Sequence, residues 1–214
     1  MHRLMPAIFE QDWSEIEKKL QRVKPFTDTI HIDLLDGKFA PNFSFADPAP
    51  FAAYKDDFFF ELHMMVHEPE QHLDAWAKAG IRRFMGHVEH MADQVSFVAR
   101  AQELGEVGLA LDADTPLEKV GVPLDDLDSI LIMTVKAGFS GQTFMPECLE
   151  KVKKISTQTT LPIEIDGGVT EQTLTLAIKS GVTRAVATSY LFDSEEIEQR
   201  YHRLQELFTT VPVE

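Results

Sequence analysis

Short apolar runs and amphipathic stretches take turns along this chain from end to end. LMPAIF at 4–9 reads as a buried strand. Behind it, Trp13, Ile16, Leu20 and Val23 fall at helical spacing, with Asp12 placed to cap the helix, Glu15 three residues on to complete a capping box, and Pro25 to close it. The same alternation then repeats. Strands are predicted at 29–33, 58–63, 83–87, 108–111, 130–135, 162–165 and 185–187. Helical spacing links Leu73, Trp76 and Ala77 behind Pro69, then Val95, Val98, Ala101 and Leu104. It returns in Leu149, Val152 and Ile155, in Leu174, Ala177 and Ile178, and in Ile197, Tyr201 and Leu204. Residues 41–50, rich in Pro, Asn and Ser, read as a long loop before a short helix near Phe51, and Thr115-Pro116 opens another brief helix.

This alternation has no linker, composition break or low-complexity segment, which argues for a parallel sheet with helical crossovers. Eight strand–helix units predict an α/β fold, a single (β/α)8 TIM barrel domain over residues 1–214, slightly below the usual size of about 250 residues. The runner-up is an open doubly wound sheet, but no G-x-G-x-x-G follows the first strand to support dinucleotide binding on one.

Charge narrows the partners. Asp and Glu number 35 against 20 Lys and Arg, a formal net charge of −15, whereas a nucleic-acid surface needs clustered cations to displace counterions from phosphates. A small anionic substrate remains compatible, because backbone N–H groups hold phosphate without net positive charge. Cys148 is the one cysteine, so an internal disulfide is excluded and a reducing compartment is the natural expectation; on a predicted helix with no partnering base, it reads as packing. MHRLMPAIFEQDW meets Glu10 and Asp12 before a signal-peptide apolar core can form, and FFFELHMMV is too short and too charged to span a bilayer. The expectation is a cytoplasmic protein with no nucleic-acid or membrane partner.

In a barrel of this kind, reactive groups sit at the C-terminal ends of the strands. That rule selects His31 and Asp33 on the second strand, His63 on the third and Asp166 on the seventh. His31 and Asp33 are two residues apart, so in a strand they point the same way. Two imidazoles and two carboxylates make a nitrogen and oxygen set suited to Zn²⁺, Fe²⁺, Mn²⁺ or Co²⁺. Because the two Asp come from well-separated strands, they are placed to face opposite sides of a substrate between them. Phosphate sites in such barrels come from the last loops. Gly138, Phe139, Ser140 and Gly141, then Gly167 and Gly168, then Thr188 and Ser189, occupy those loops, and glycine lets backbone N–H groups approach an anion. His87, Glu89 and His90 read as a polar strand end rather than a second metal site.

HIDLLDGKFAPN, ELHMMVHEPEQ, GHVEH, GLAL followed by Thr115-Pro116, LIMTVKAGFSGQTFM and IEIDGGV occur in an order and spacing that resemble the ribulose-phosphate 3-epimerase family along nearly the whole chain. The resemblance implies a 3-epimerase of a ketose phosphate, D-ribulose 5-phosphate to D-xylulose 5-phosphate, working by two-base proton transfer through a metal-stabilised ene-diolate. It implies that His31, Asp33, His63 and Asp166 hold one divalent ion, that Asp33 and Asp166 are also the catalytic acid and base, and that Met65 and Met133 line the metal site, with Leu35 where another methionine is common. It also implies a homo-oligomer, a dimer or larger. The chain departs from the family pattern in three places. Ala7 stands where a serine commonly contacts substrate, Ala137-Gly138-Phe139-Ser140-Gly141 replaces Pro-Gly-Phe-Gly-Gly, and Thr188-Ser189 replaces Gly-Ser. These departures leave open a hexulose phosphate of the allulose 6-phosphate type, or a phosphosugar-binding barrel without catalysis, although the complete His/Asp set argues against the latter. Decarboxylases of similar fold need an Asp-x-Lys arrangement, which Asp33-Leu34-Leu35-Asp36 lacks.

Overall fold

The structure, a computed structural model, describes residues 3–213; Met1, His2 and Glu214, the ends of the expected 1–214 domain, lie outside the described residues. Eight strands run β1 (Arg3–Ile8), β2 (Thr29–Leu35), β3 (Phe59–Met65), β4 (Ile81–His87), β5 (Glu106–Leu111), β6 (Ser129–Met133), β7 (Ile163–Asp166) and β8 (Arg184–Ala187). They pair in sequence order, all parallel, and β8 returns to β1, which closes the barrel. The helices are α1 (Trp13–Val23), α2 (Leu73–Lys78), α3 (Gln94–Gln102), α4 (Leu149–Ser156), α5 (Glu171–Lys179), a short α6 (Ser189–Phe192) that the pattern did not announce, and α7 (Ile197–Thr210).

Each strand is buried on both faces, which is why it reads as an apolar run. On β2, the outward residues Ile30, Ile32 and Leu34 join the main core beneath the helices, with Phe51, Trp76, Leu20 and Phe97. Inward positions form separate small clusters, Met5 with Ala7 and Val186, and Met85 with Ala110, Leu131 and Met133. Buried polar groups share the barrel interior with those clusters: His31, Glu61, Arg83 and Glu164.

Several local expectations are corrected. Asp12 does cap α1, accepting from the Ser14 N–H at 2.7 Å, but Glu15 turns outward to Lys18 at 2.6 Å and no capping box forms there. The box in this molecule is at α5, between Thr170 and Thr173. The crossovers after β2 and β5 contain no α-helix, only 3-10 turns at Ala49–Tyr54, Leu117–Lys119 and Leu124–Asp126. Pro48, Pro50, Pro116 and Pro123 explain this, since each removes an amide donor and restricts the residue before it. Pro69 likewise opens a 3-10 turn, and α2 proper begins only at Leu73. Val95 is 64% exposed, because α3 presents Phe97, Val98 and Ala101 to the core instead. β6 stops at Met133, where Thr134 turns its amide and hydroxyl onto the carbonyl of Asp166.

Candidate active site

Register assembles the site. β2 pairs with β3 so that His31 lies beside Glu61 and Asp33 beside His63, all facing the barrel interior. β6 pairs with β7 so that Met133 lies beside Asp166. His31, Asp33, His63 and Asp166 thereby converge, each offering a ligand atom within 4.8 Å of the others. Asp33 Oδ1 is 2.9 Å from His63 Nδ1 and 3.4 Å from His31 Nε2; Asp166 Oδ2 is 3.4 Å from His63 Nδ1. Both rings are fully buried, and the two carboxylates are only 7% and 8% exposed.

This donor set fits a divalent ion on its own chemistry. His31 Nε2 is buried without a hydrogen-bond partner, facing the carboxylates. Buried polar atoms are rarely left so, and an unpaired imidazole nitrogen beside two carboxylates is a ligand set in waiting. Its other nitrogen is already committed: His31 Nδ1 lies 2.6 Å from Glu61 Oε1, and Glu61 Oε2 accepts from Arg83 Nη1 at 2.7 Å. A carboxylate behind a ligating histidine fixes the ring and its tautomer.

The electrostatics follow from burial opposed by pairing. Burial pushes the Asp33 carboxyl up, but His31 and His63 hold it well below the usual carboxylate range, so it is ionised at neutral pH. Burial presses His31 down, and Asp33 and Glu61 outweigh that and lift it. Glu61 is likewise driven up by burial and held down by His31 and Arg83. Burial and the neighbouring charge of Glu61 raise the Glu164 carboxyl well above its ordinary value.

Above this floor opens one pocket. Asp33 and Asp166 line it together with Leu35, Met65 and Met133, and so do all the loop residues singled out from the sequence: Gly138, Phe139, Ser140, Gly141, Gly167, Gly168, Thr188 and Ser189. Two of the glycines are required by the backbone. Gly167 has φ +116 and a Cβ there would lie 2.4 Å from Val135 Cγ2; Gly168 has φ +62 and would meet the Phe144 amide at 2.8 Å. Asn42 Nδ2 donates to the Gly138 carbonyl at 2.8 Å, tying the loop after β2 to the loop after β6. Ala7 does not line the pocket; it is buried with Met5 and Val186 below the mouth. Cys148 is buried in the main core, where burial pushes its thiol up, as expected of a packing residue.

The reading of His87 and Glu89 as a mere polar strand end falls short. His87 is fully buried and stacks on His63, with ring centroids 4.9 Å apart. The two Nε2 atoms are 2.8 Å apart, and His87 Nδ1 is 2.9 Å from Glu89 Oε2. Glu89 Oε1 accepts from the Asp112 N–H at 2.7 Å. Burial pushes the Glu89 carboxyl up, but its contacts with His87 hold it at about 2. Sequence reasoning passed over Glu61 and Glu164, and the available signal was a charged residue at an inward position of an otherwise apolar strand.

At one mouth of the closed barrel, then, a two-His, two-Asp cluster lies beneath glycine-rich loops, the arrangement of a candidate enzyme site. A sequence profile described as the ribulose-phosphate 3 epimerase family matches residues 3–192, so the chain belongs to the ribulose-phosphate 3-epimerase family, whose members are isomerases of the epimerase class. It is 34% identical over 204 residues to a ribulose-phosphate 3-epimerase of Schizosaccharomyces pombe, covering 92% of this chain and 90% of that one. It is 32% identical over 206 residues to that of Bacillus subtilis, covering 92% and 94%. Among solved structures, 3-keto-L-gulonate-6-phosphate decarboxylase from Vibrio cholerae superposes with a TM-score of 0.75 at 13% identity, covering 99% of this chain and 100% of that one. 3-Hexulose-6-phosphate synthase from Salmonella typhimurium gives 0.73 at 13%, with the same coverage. At that identity the likeness shows the fold alone. Among the described residues, no helix is long and apolar enough to cross a membrane.

Proposed function

We propose that this protein is a metal-dependent 3-epimerase interconverting D-ribulose 5-phosphate and D-xylulose 5-phosphate. The observation that carries the reading is the convergence of His31, Asp33, His63 and Asp166 within 4.8 Å at the floor of a pocket rimmed by glycine loops. These four side chains would hold one divalent ion, which when bound would supply Lewis-acid stabilisation to negative charge on the substrate's oxygens. One carboxylate, Asp33 or Asp166, takes the proton from C3 on one face, and the other returns a proton on the opposite face, inverting that carbon. Ionisation of Asp33 at neutral pH suits it to take the C3 proton in one direction; in the other direction it enters carrying that proton and gives it back. Met65, Met133 and Leu35 keep the wall around the reacting carbons apolar, which strengthens each charge interaction inside it. The N–H groups of Gly138 to Gly141, Gly167, Gly168 and Ser189 receive the phosphate, with the Ser140, Thr188 and Ser189 hydroxyls beside them.

Thr188 and Ser140, where the family pattern has glycine, favour a second substrate reading, a hexulose phosphate such as allulose 6-phosphate. Comparing turnover of the two ketose phosphates separates them. Expected is epimerisation of ribulose 5-phosphate that disappears on chelation and returns with one equivalent of divalent ion. Turnover that survives complete removal of metal sinks the mechanism, and ligand binding without turnover on either sugar favours a non-catalytic binder. The lone Cys148 supports a reducing, cytoplasmic setting, and the family resemblance alone supports a homo-oligomer, which light scattering on purified protein measures.

A further inference from the structure

We propose that Glu89 and His87 are positioning residues that set the proton on His63, so that its Nδ1 presents a lone pair to the metal. This rests on the metal reading above. The two histidines of the cluster offer different nitrogens to the carboxylates: His31 turns Nε2 toward Asp33, at 3.4 Å, whereas His63 turns Nδ1, at 2.9 Å from Asp33 and 3.4 Å from Asp166. A neutral imidazole has one donor nitrogen and one acceptor nitrogen, so His63 can coordinate through Nδ1 only with its proton on Nε2. His31 has its tautomer fixed directly by Glu61 at 2.6 Å. His63 has no carboxylate of its own behind it; behind it is the ring of His87, with Nε2 facing Nε2 at 2.8 Å.

That contact carries a single proton and works in either direction. If His87 were protonated on Nε2, it would donate to His63 and force the His63 proton onto Nδ1, into the ion's place. Glu89 removes that state. As an ionised carboxylate it is acceptor only, and its Oε2 sits 2.9 Å from His87 Nδ1, so His87 is protonated on Nδ1 and left with an acceptor at Nε2. His63 then donates from Nε2, and its Nδ1 is free. The order of protons along Glu89, His87 and His63 is thus determined from the carboxylate end. Glu89 is itself held by the Asp112 N–H on Oε1, at 2.7 Å, so its other oxygen stays with His87.

Glu89→Gln is the discriminating substitution, because Gln keeps shape and size but has a single acceptor oxygen. With Asp112 N–H claiming that oxygen, the amide N–H₂ faces His87 Nδ1 and reverses the chain. Zinc affinity, measured by chelator competition on the folded full-length protein, is expected to fall by about 10–100-fold in Glu89→Gln. His87→Gln, which still offers an oxygen to His63 Nε2–H, is expected to retain more affinity than His87→Leu, which offers none. Imidazole ¹⁵N spectra of the zinc-loaded wild type are expected to show His63 protonated on Nε2 and His87 on Nδ1. A merely structural Glu89 would change unfolding but leave zinc affinity of the folded protein alone. Equal zinc affinity in wild type and Glu89→Gln, or a wild-type spectrum with His87 protonated on Nε2, overturns this inference and leaves the metal reading standing; a wild type that binds no divalent ion overturns both.

Discussion

Asp33 and Asp166 come from strands on different sides of the barrel, yet their oxygens lie close enough to share an ion. Each has a distinct partner set, so each makes a separable prediction. Asp166→Asn preserves the side chain's volume and loses a proton acceptor; kcat is expected to drop at least 10²–10⁴-fold, roughly the worth of a positioned acid or base, with the fold retained by circular dichroism. Glu89 makes a prediction in pH. Its folded carboxyl, at about 2, lies below its ordinary value of 4.5, so its stabilising contribution is complete above about pH 4.5 and is lost as pH falls toward 2. Discounted for partial exposure, that contribution is on the order of 2 kcal/mol. Urea midpoints of wild type are expected to fall between pH 5 and pH 3 more steeply than those of Glu89→Gln. The four cluster residues were readable from the chain because strand ends in a barrel collect chemistry. Glu61 was not, because its role depends on which residue of the neighbouring strand lies opposite, and register is absent from the pattern of any one strand; the role of His87 was not, because its ring stacks on His63 from a position that is not its register partner.

The strands were identifiable one by one, being buried on both faces, while the connections were less so. The short helices expected near Phe51 and after Thr115-Pro116 form as 3-10 turns rather than α-helix, and the capping signal at Glu15 was outbid by Lys18 one turn away. The loop after β7 illustrates an element whose sequence and geometry agree. Its Asp-Gly-Gly ending holds Gly167 at φ +116 against Val135, while Thr134 donates its hydroxyl to the Gly167 carbonyl at 2.6 Å. Gly167→Ala is expected to cost about 1–3 kcal/mol in urea unfolding, from the left-handed backbone and the clash together, and to raise KM for the sugar phosphate as the loop shifts. An unchanged midpoint would mean that the loop relaxes freely.

At the scale of the whole molecule, closure of the barrel brings β2, β3 and β7 to a common centre, so an ion held there cross-links strands that are far apart in sequence. Binding to the folded chain alone stabilises it by mass action: at an ion concentration 100 times Kd, by about 2.7 kcal/mol. Zinc or manganese is therefore expected to raise the thermal midpoint in wild type and to do so much less in a His31→Ala, Asp166→Asn double variant. The net charge of −15 does not oppose this, because the cluster lies inside the barrel and its charge is that of its own neighbours. The eightfold alternation made this architecture readable before any coordinates, and the family pattern located the mouth; which substrate enters past Thr188 and Ser140 was not readable, since that depends on loop shape. The most direct measurement is proton exchange at C3. With ribulose 5-phosphate in D₂O, the metal-loaded protein should place deuterium on C3 and produce xylulose 5-phosphate, the stripped protein should do neither, and one equivalent of divalent ion should restore both. Exchange and epimerisation that continue undiminished without metal would contradict the account.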